Sequence, residues 1–549
     1  MTATQTTPVL VVGGGPAGLA AAAELSAYGI ECVVIEPRPQ VSHRRPRAKT
    51  TNVRTMEHMR RWGLADALRA AAPLPVAWSQ RVTFCESLTG ARITDFDGAF
   101  GLTTQRDDRF AEAGQQVPQP VVEEVLRAHL RRCPGADLRL GHRATALTQD
   151  EAGVTVSVTD AEGASYQIRA RYVLGCDGAS GMTRDAAGAR YVGRADPRPN
   201  FNMVFRAPEL ATHLGPSVQY WVVGGGPAGI SGLLGPLDLA GTWWAGVPGV
   251  DPEYGEAHTA ELINGLVGAP VAHELLATDP WTARMLVADA FADRRLFLVG
   301  ESAHVNPPWG GHGFNTCVGD AVNIAWKIAA VEHGWAGEAL LASYEPERRG
   351  VVEQTVASAE SNMRVLANVL PRDEAAIQRA KRSEFYTLGL VLGYSYAGSP
   401  VIQRGRVAAR AVADVSTFIP SSEPGSRLPH HWLPDGSSLY DHLGRGFTLL
   451  APTTVTSDLP AFSGVIAPQN AGKAPSPLAP GDQPGVAELA GRARPLGIPL
   501  TVTALPPDYP WPAEFLLVRP DQHIAWRAAD PAGLDIEAAA GLRPVRAGV

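Results

Sequence analysis

The sequence predicts an α/β chain of the α+β multidomain kind. It should hold a Rossmann-like dinucleotide-binding domain, a central antiparallel sheet and a small α/β unit at its C-terminal end. Three observations predict this. Residues 8–36 read strand, glycine turn, helix, strand. Between about 190 and 280 the text breaks into short strands separated by Gly/Pro turns, and the last stretch, from about 430, holds further strand-like runs. A length of 549 residues suits three or four domains at roughly 150 residues each.

The elements follow in order. Val9–Val12 and Cys32–Glu36 are continuous apolar runs, as expected of parallel strands buried on both faces. Between them Gly13-Gly14-Gly15-Pro16-Ala17-Gly18 opens the Ala-rich helix 17–27. In such a loop Gly13 allows the tight turn, Gly15 the approach of a pyrophosphate, and Gly18 close strand–helix packing. The helix N-terminus, with Pro16 and Ala17 in its first turn, offers free N–H groups to an anion. Glu36 closes the second strand 18 residues after Gly18, where a ribose-binding carboxylate belongs, and it would repel a 2′-phosphate. The slot therefore suits FAD or NAD rather than NADP.

Helix patterns are predicted at about 52–72 and 120–133, and strand alternates with turn from 153 to 175. Four of the 12 tryptophans (Trp221, Trp243, Trp244, Trp281) fall in or beside the central sheet, which suits either a wall for a flat ligand or ordinary core. A second copy of the glycine loop at 224–229 is read as a turn, because no Ala-rich helix follows it. Arg295–Gly300 is a further buried strand, followed by a glycine loop and a helix predicted over 316–331; residues 338–415 look mainly helical.

Composition excludes several classes. Lys plus Arg is 48 and Asp plus Glu 55, a net charge of −7, which gives no reason to expect nucleic acid or a polybasic membrane contact. Five scattered cysteines without CxxC predict neither a disulfide framework nor a thiolate metal site. The histidines lack ligand spacing, so no metal is expected. The N-terminus lacks a basic n-region and no run approaches ~20 apolar residues. The expectation is a soluble, cytoplasmic protein in a reducing compartment.

Two more motifs follow apolar strands: Cys176-Asp177-Gly178 through Arg184, and Gly300-Glu301-Ser-Ala-His304 through Pro308-Trp309-Gly310-Gly311-His-Gly313-Phe314-Asn315. With the first glycine loop, they stand in the order and spacing of the group A FAD-dependent aromatic hydroxylases, the para-hydroxybenzoate hydroxylase type, which residues 8–350 resemble. The tail resembles the thioredoxin-like C-terminal domain of the phenol and polyketide hydroxylase branch, here without CxxC. The resemblance implies a discontinuous FAD-binding domain (1–190 and 280–415), a substrate-binding sheet domain (190–280) and a thioredoxin-like domain (425–549).

It also implies roles. Gly13, Gly15, Pro16, Ala17 and Gly18 would cradle the FAD pyrophosphate, Glu36 the adenosine ribose, and Arg47 the ribose–phosphate region. Gln119 would meet the flavin's linker, and Asp177, Gly178 and Arg184 match a motif associated with FAD and NAD(P)H. Glu301 replaces the family's ribityl-binding aspartate, one methylene longer. Gly311, Gly313, Phe314 and Asn315 would line the flavin's pyrimidine edge, with the Pro308 carbonyl, the catalytic candidate, facing the substrate. His304 matches a histidine that is normally structural.

The implied activity is FAD-dependent monooxygenation: NADPH or NADH reduces the flavin, O₂ adds to give a C4a-hydroperoxide, and one oxygen passes to an aromatic ring. Partners would be the aromatic substrate, O₂ and NAD(P)H, in a monomer or homodimer. Trp221, Trp243 and Trp309 are the candidate substrate residues. Arg206 is the only cation between 201 and 250, so a largely apolar multi-ring substrate is expected, of the natural-product kind. The alternatives are a simple phenol hydroxylase, or a flavoprotein that protects a reactive aromatic intermediate.

Overall fold

The computed structural model describes residues 4–210, 215–224, 229–367, 373–404, 412, 414–452, 484–506, 509–510 and 514–543. Most of the second glycine loop, 225–228, lies outside the described residues. Gly232–Pro236 beyond it is a strand, not a helix.

The apolar runs assemble the first sheet. Thr4–Val12 lies between two parallel neighbours, Cys32–Glu36 and Ser165–Gly175. Ala136–Leu140 and Leu296–Leu298 extend the parallel set on either side. Cys32–Glu36 is buried along its whole length. The helix Pro16–Ala27 packs on Gly313–Glu332. Ala20, Ala21, Ala22 and Ala23 are wholly buried, on a helix that also packs on Gln119–Leu130 and the sheet; their small side chains let these neighbours approach closely and cost no rotamer entropy. The pattern predicted over 52–72 splits into Val53–Arg61 and Ala65–Ala71, parted at Gly63, whose φ is +72°.

The second sheet has eight strands in the order 304–305, 274–288, 191–206, 242–248, 232–236, 219–222, 81–85 and 92–97. This corrects the boundaries read for the substrate domain, since Arg81–Cys85 and Arg92–Asp97 come from far upstream. Gln219–Val222 pairs parallel with Arg81–Cys85, placing Trp221 opposite Phe84. Both faces of Arg81–Cys85 are covered: Phe84 stacks on Trp221 at 5.4 Å, while Cys85 enters the core with Tyr220 and Trp243.

The C-terminal sheet runs Leu500–Ala504, Phe447–Ala451, Phe515–Val518, Ile524–Ala528, the first pair parallel and the rest antiparallel. Its Phe447, Leu517 and Trp526 share one apolar cluster with Trp326 and Trp335 at the far end of Gly313–Glu332. Arg519, wholly buried, bonds Glu347 at 2.7 Å and Asp521 at 2.6 Å, and Lys327 reaches the same Glu347 at 2.7 Å. The tail is thus joined to the first domain through both core and charge.

Candidate active site

The first glycine loop divides its glycines by what surrounds them. A Cβ at Gly13 would lie 2.2 Å from the Cys176 carbonyl, and one at Gly18 would lie 1.9 Å from that of Gly13. Those two positions are closed by the protein itself. A Cβ at Gly15 would meet nothing within 4 Å, so the loop opens outward there. Gly15 is also the N-cap of Pro16–Ala27, with no side chain capping it, leaving the first N–H groups available.

Glu36 is buried and already engaged: Gly14 N–H donates to one oxygen at 2.8 Å and Arg38 to the other. Burial pushes this carboxyl up, but the Arg38 bonds and charge and the Gly14 bond outweigh burial and hold it below the usual range. Gln119 begins the helix Gln119–Leu130; its amide donates to Glu123 at 2.9 Å. Arg127 continues that helical face and was missed by sequence reasoning. It is buried, with Nε and Nη2 unpartnered. Burial pushes its guanidinium down, opposed by Glu36 and Glu123. The signal was available: polar residues at 119, 123 and 127, spaced i, i+4, i+8, on one face of an otherwise apolar helix.

Arg47 holds a left-handed backbone, φ +49°. Strain of this kind is kept only where neighbours impose it; here the Gln119 N–H donates to the Pro46 and Ala48 carbonyls on either side. Asp177 accepts from Thr183 and from Ser302, tying the second motif to the third, and Gly178 faces Glu301. Arg184 does not reach the cavity. It folds back onto the Ala179 carbonyl at 2.9 Å and lies over the Tyr191 ring.

The helix predicted from 316 begins three residues earlier, at Gly313. The Thr316 N–H is spent on the His312 carbonyl, so the free first-turn donors are those of Gly313, Phe314 and Asn315. The Asn315 side chain is not free: it donates to the Thr50 and Gly311 carbonyls at 2.8 and 2.7 Å and accepts from Asn52 N–H. It clamps the glycine loop to the strand Thr50–Thr51. The Pro308 carbonyl closes the turn by accepting from Gly311 N–H at 3.0 Å, and one of its lone pairs is left over. His304 is buried in an ion-paired set, bonding Asp320 at 2.7 Å, which in turn holds Arg348.

These loops form one side of a cavity of about 380 Å³. Arg47, Gln119, Glu301, Pro308, Gly311 and Phe314 border it from the first domain; Phe100, Trp221, Leu233, Trp244 and Trp281 face them, and Trp309 borders it as well. Trp281 and Trp309 lie 5.7 Å apart. Two expectations are corrected. Trp243 does not line the cavity. Adjacent residues of a strand face opposite ways, and Trp243 turns into the core against Tyr220 while its neighbour Trp244 faces the cavity. Nor is the wall without cations: Lys49 places its Nζ 3.3 Å from the Trp244 ring centroid, and Arg284 also borders the cavity. Both come from outside residues 201–250, where Arg206 is the only cation. Glu384, likewise missed, borders the cavity with its carboxylate on Lys381 at 2.7 Å.

A dinucleotide seat on one side and stacked aromatic rings on the other define an enzyme that presents a nucleotide cofactor to a small molecule. The outward opening at Gly15, the buried unpartnered Arg127 and the free donors at 313–315 all fit FAD. The family model described as an FAD binding domain matches residues 6–359. The chain is 31% identical over 569 residues to 2,4-dichlorophenol 6-monooxygenase of Delftia acidovorans, covering 95% of each chain. It is 32% identical over 460 residues to aklavinone 12-hydroxylase RdmE of Streptomyces purpurascens, covering 81% of this chain and 83% of that one. Among solved structures, RebC with bound 7-carboxy-K252c matches with a TM-score of 0.82 at 29% identity, covering 98% of each chain. The chain belongs to the FAD-binding-domain family and is an FAD-dependent aromatic monooxygenase.

Proposed function

We propose that this enzyme consumes NAD(P)H and O₂ to hydroxylate a planar multi-ring phenol or quinone of the natural-product kind, in a reducing cytoplasm. The observation that carries this reading is the cavity itself, whose sheet side offers Trp221, Trp244 and Trp281 as flat apolar area opposite the flavin loops. Bound FAD would supply hydride acceptance and oxygen activation. The chain's own part is to bind and orient. The Gly15 opening and Arg127 would hold the diphosphate, and Glu36, Arg47 and Gln119 would hold the adenosine side and linker. Glu301 and Gly178 would border the ribityl chain. The Gly313–Asn315 N–H groups, at the positive end of a 20-residue helix, would stabilise negative charge on the ring system. The tryptophans exclude water from the reacting face.

The full-length likeness to a dichlorophenol monooxygenase favours a second reading, a simple phenol hydroxylase. One screen separates them. A planar polycyclic phenol should stimulate NAD(P)H oxidation and gain one oxygen atom by mass, far above para-hydroxybenzoate. Equal coupling by simple phenols would select the second reading.

A further inference from the structure

Lys49 stands in the cavity without an ion-pair partner among the described residues. Lys49 follows the strained Arg47 and borders both the main cavity and a smaller recess reaching to Met203 and Ala277. Its Nζ rests on the π-face of Trp244 at 3.3 Å, and among the described residues no carboxylate pairs with it. The charged groups around it can be named. On its own loop stand Arg44, Arg45 and Arg47; on the strand Glu274–Ala288 stand Asp279 and Arg284. Asp279 is taken by Arg45 at 3.0 Å. Across the cavity Glu301 faces Gly178, and Glu384 is taken by Lys381. The strands Tyr191–Arg206 and Thr242–Pro248 bring only Asn202, Met203, Val204, Trp244 and Ala245 to the recess.

We infer that Lys49 receives the phenolic oxygen of the aromatic substrate, accepting its proton and holding the resulting phenolate beside Trp244. The inference rests on the hydroxylase function proposed above and narrows its substrate to a flat aromatic with an acidic phenolic hydroxyl. The step balances without another reactant. The phenol O–H bond breaks and its electron pair stays on oxygen, while the Nζ lone pair takes the proton, so a neutral pair becomes an ion pair. Lys49 is half-buried, and loss of water around its ammonium pushes it down to about 7, which leaves a lone pair free above neutral pH. A buried charge is costly until it is paired, so the ammonium is restored when a phenolate arrives. The Trp244 face favours the ammonium over the neutral amine, and a phenolate ring is the richer electron donor towards an electrophilic oxygen.

The test uses the FAD-loaded enzyme and a hydroxyanthraquinone whose phenolate absorbs at longer wavelength than its phenol. Titrated on the wild-type enzyme, the bound dye should ionise at least one pH unit below the free dye, a tenfold gain in phenolate at a given pH. Lys49→Met should abolish that gain while still binding the neutral dye, and Lys49→Arg, which keeps a positive charge, should retain part of it. FAD content and melting temperature show whether each variant has kept its fold. Should Lys49→Met misfold, the wild-type titration still decides: bound dye ionising like free dye overturns the assignment. An unchanged gain in Lys49→Met overturns it too. A wild-type enzyme that binds no planar phenol overturns the multi-ring substrate reading, and this inference with it.

Discussion

The two sides of the cavity are built from different materials. On the first-domain side the working groups are mostly backbone: the open loop at Gly15, the free N–H groups of Gly313–Asn315 and the Pro308 carbonyl. On the sheet side they are side chains: Phe100, Trp221, Trp244, Trp281 and the Lys49 amine. Backbone geometry is written locally, in the order of glycines and the start of a helix. A wall of side chains depends on which strands meet and in which register, and on loops arriving from elsewhere. One side therefore tolerates few substitutions and the other many, and the contrast can be tested residue by residue.

The largest effect should come from neighbours on one strand. Trp243 is buried in the core, while Trp244, buried on one side against Val204 and Leu237, borders the cavity. Trp243→Ala should cost about 3–5 kcal/mol of stability, the range for emptying a large aromatic site. Trp244→Ala should cost less, because one side of the ring borders the cavity rather than core, and should weaken substrate affinity as well. Denaturant unfolding of both variants decides the matter, and equal losses would mean that the face assignment is wrong.

A pH effect of slightly smaller size should sit on the backbone side. His312, buried beside the glycine loop, is pushed down to about 4 by burial. In the unfolded chain it takes a proton near 6.5, while the native state refuses it until about 4. Stability should therefore be complete above pH 6.5 and fall between 6.5 and 4, by about 3 kcal/mol from this residue. Unfolding of His312→Gln across that window should show about one fewer proton taken up. An unchanged slope would remove His312 from the account.

The glycines give a third contrast. Gly18→Val drives its Cβ against the Gly13 carbonyl and should destabilise the chain by about 1–3 kcal/mol, as overpacking does. At Gly15 an added Cβ meets nothing within 4 Å, so Gly15→Val is the mild counterpart. It should melt like the wild type once FAD is stripped, yet bind FAD at least tenfold more weakly. Full FAD occupancy in Gly15→Val would show that the pyrophosphate lies elsewhere.

What was legible in the sequence follows the same division. The βαβ unit, Glu36 at its end and the order of three motifs could be read because each is a local pattern. The helix after the third motif was read three residues late, since Gly313 and Asn315 are poor helix formers and the turn before it had no capping side chain to mark its start. The strands at 81–97 could not be assigned to the second sheet, because a strand pattern does not name its partner. Trp243 was chosen over Trp244 for a related reason: alternation says that the two face apart, but only the pairing of Gly246 with Leu233 and Asn202 says which one faces the cavity. Lys49 was invisible because it reaches the sheet from a loop some 150 residues upstream of the sheet's centre.

The smallest effect tests how interchangeable the aromatic wall is. Trp244→Phe keeps a ring under Lys49 but gives a smaller face with a weaker quadrupole. A cation over an aromatic ring is worth about 0.5–1 kcal/mol at exposed sites, with Trp the best partner, and only part of that is lost when a ring remains. We expect unfolding to shift by less than about 1 kcal/mol and hydroxyanthraquinone affinity to fall two- to fivefold, read by equilibrium titration of the bound dye. The expectation follows from the way the wall is made: Trp221 and Trp281 still border the same cavity, so the lost area is a fraction of what the ligand covers. A loss well beyond tenfold would mean that Trp244 makes one specific contact, as the backbone donors opposite do, and the contrast between the two sides would fail at that residue.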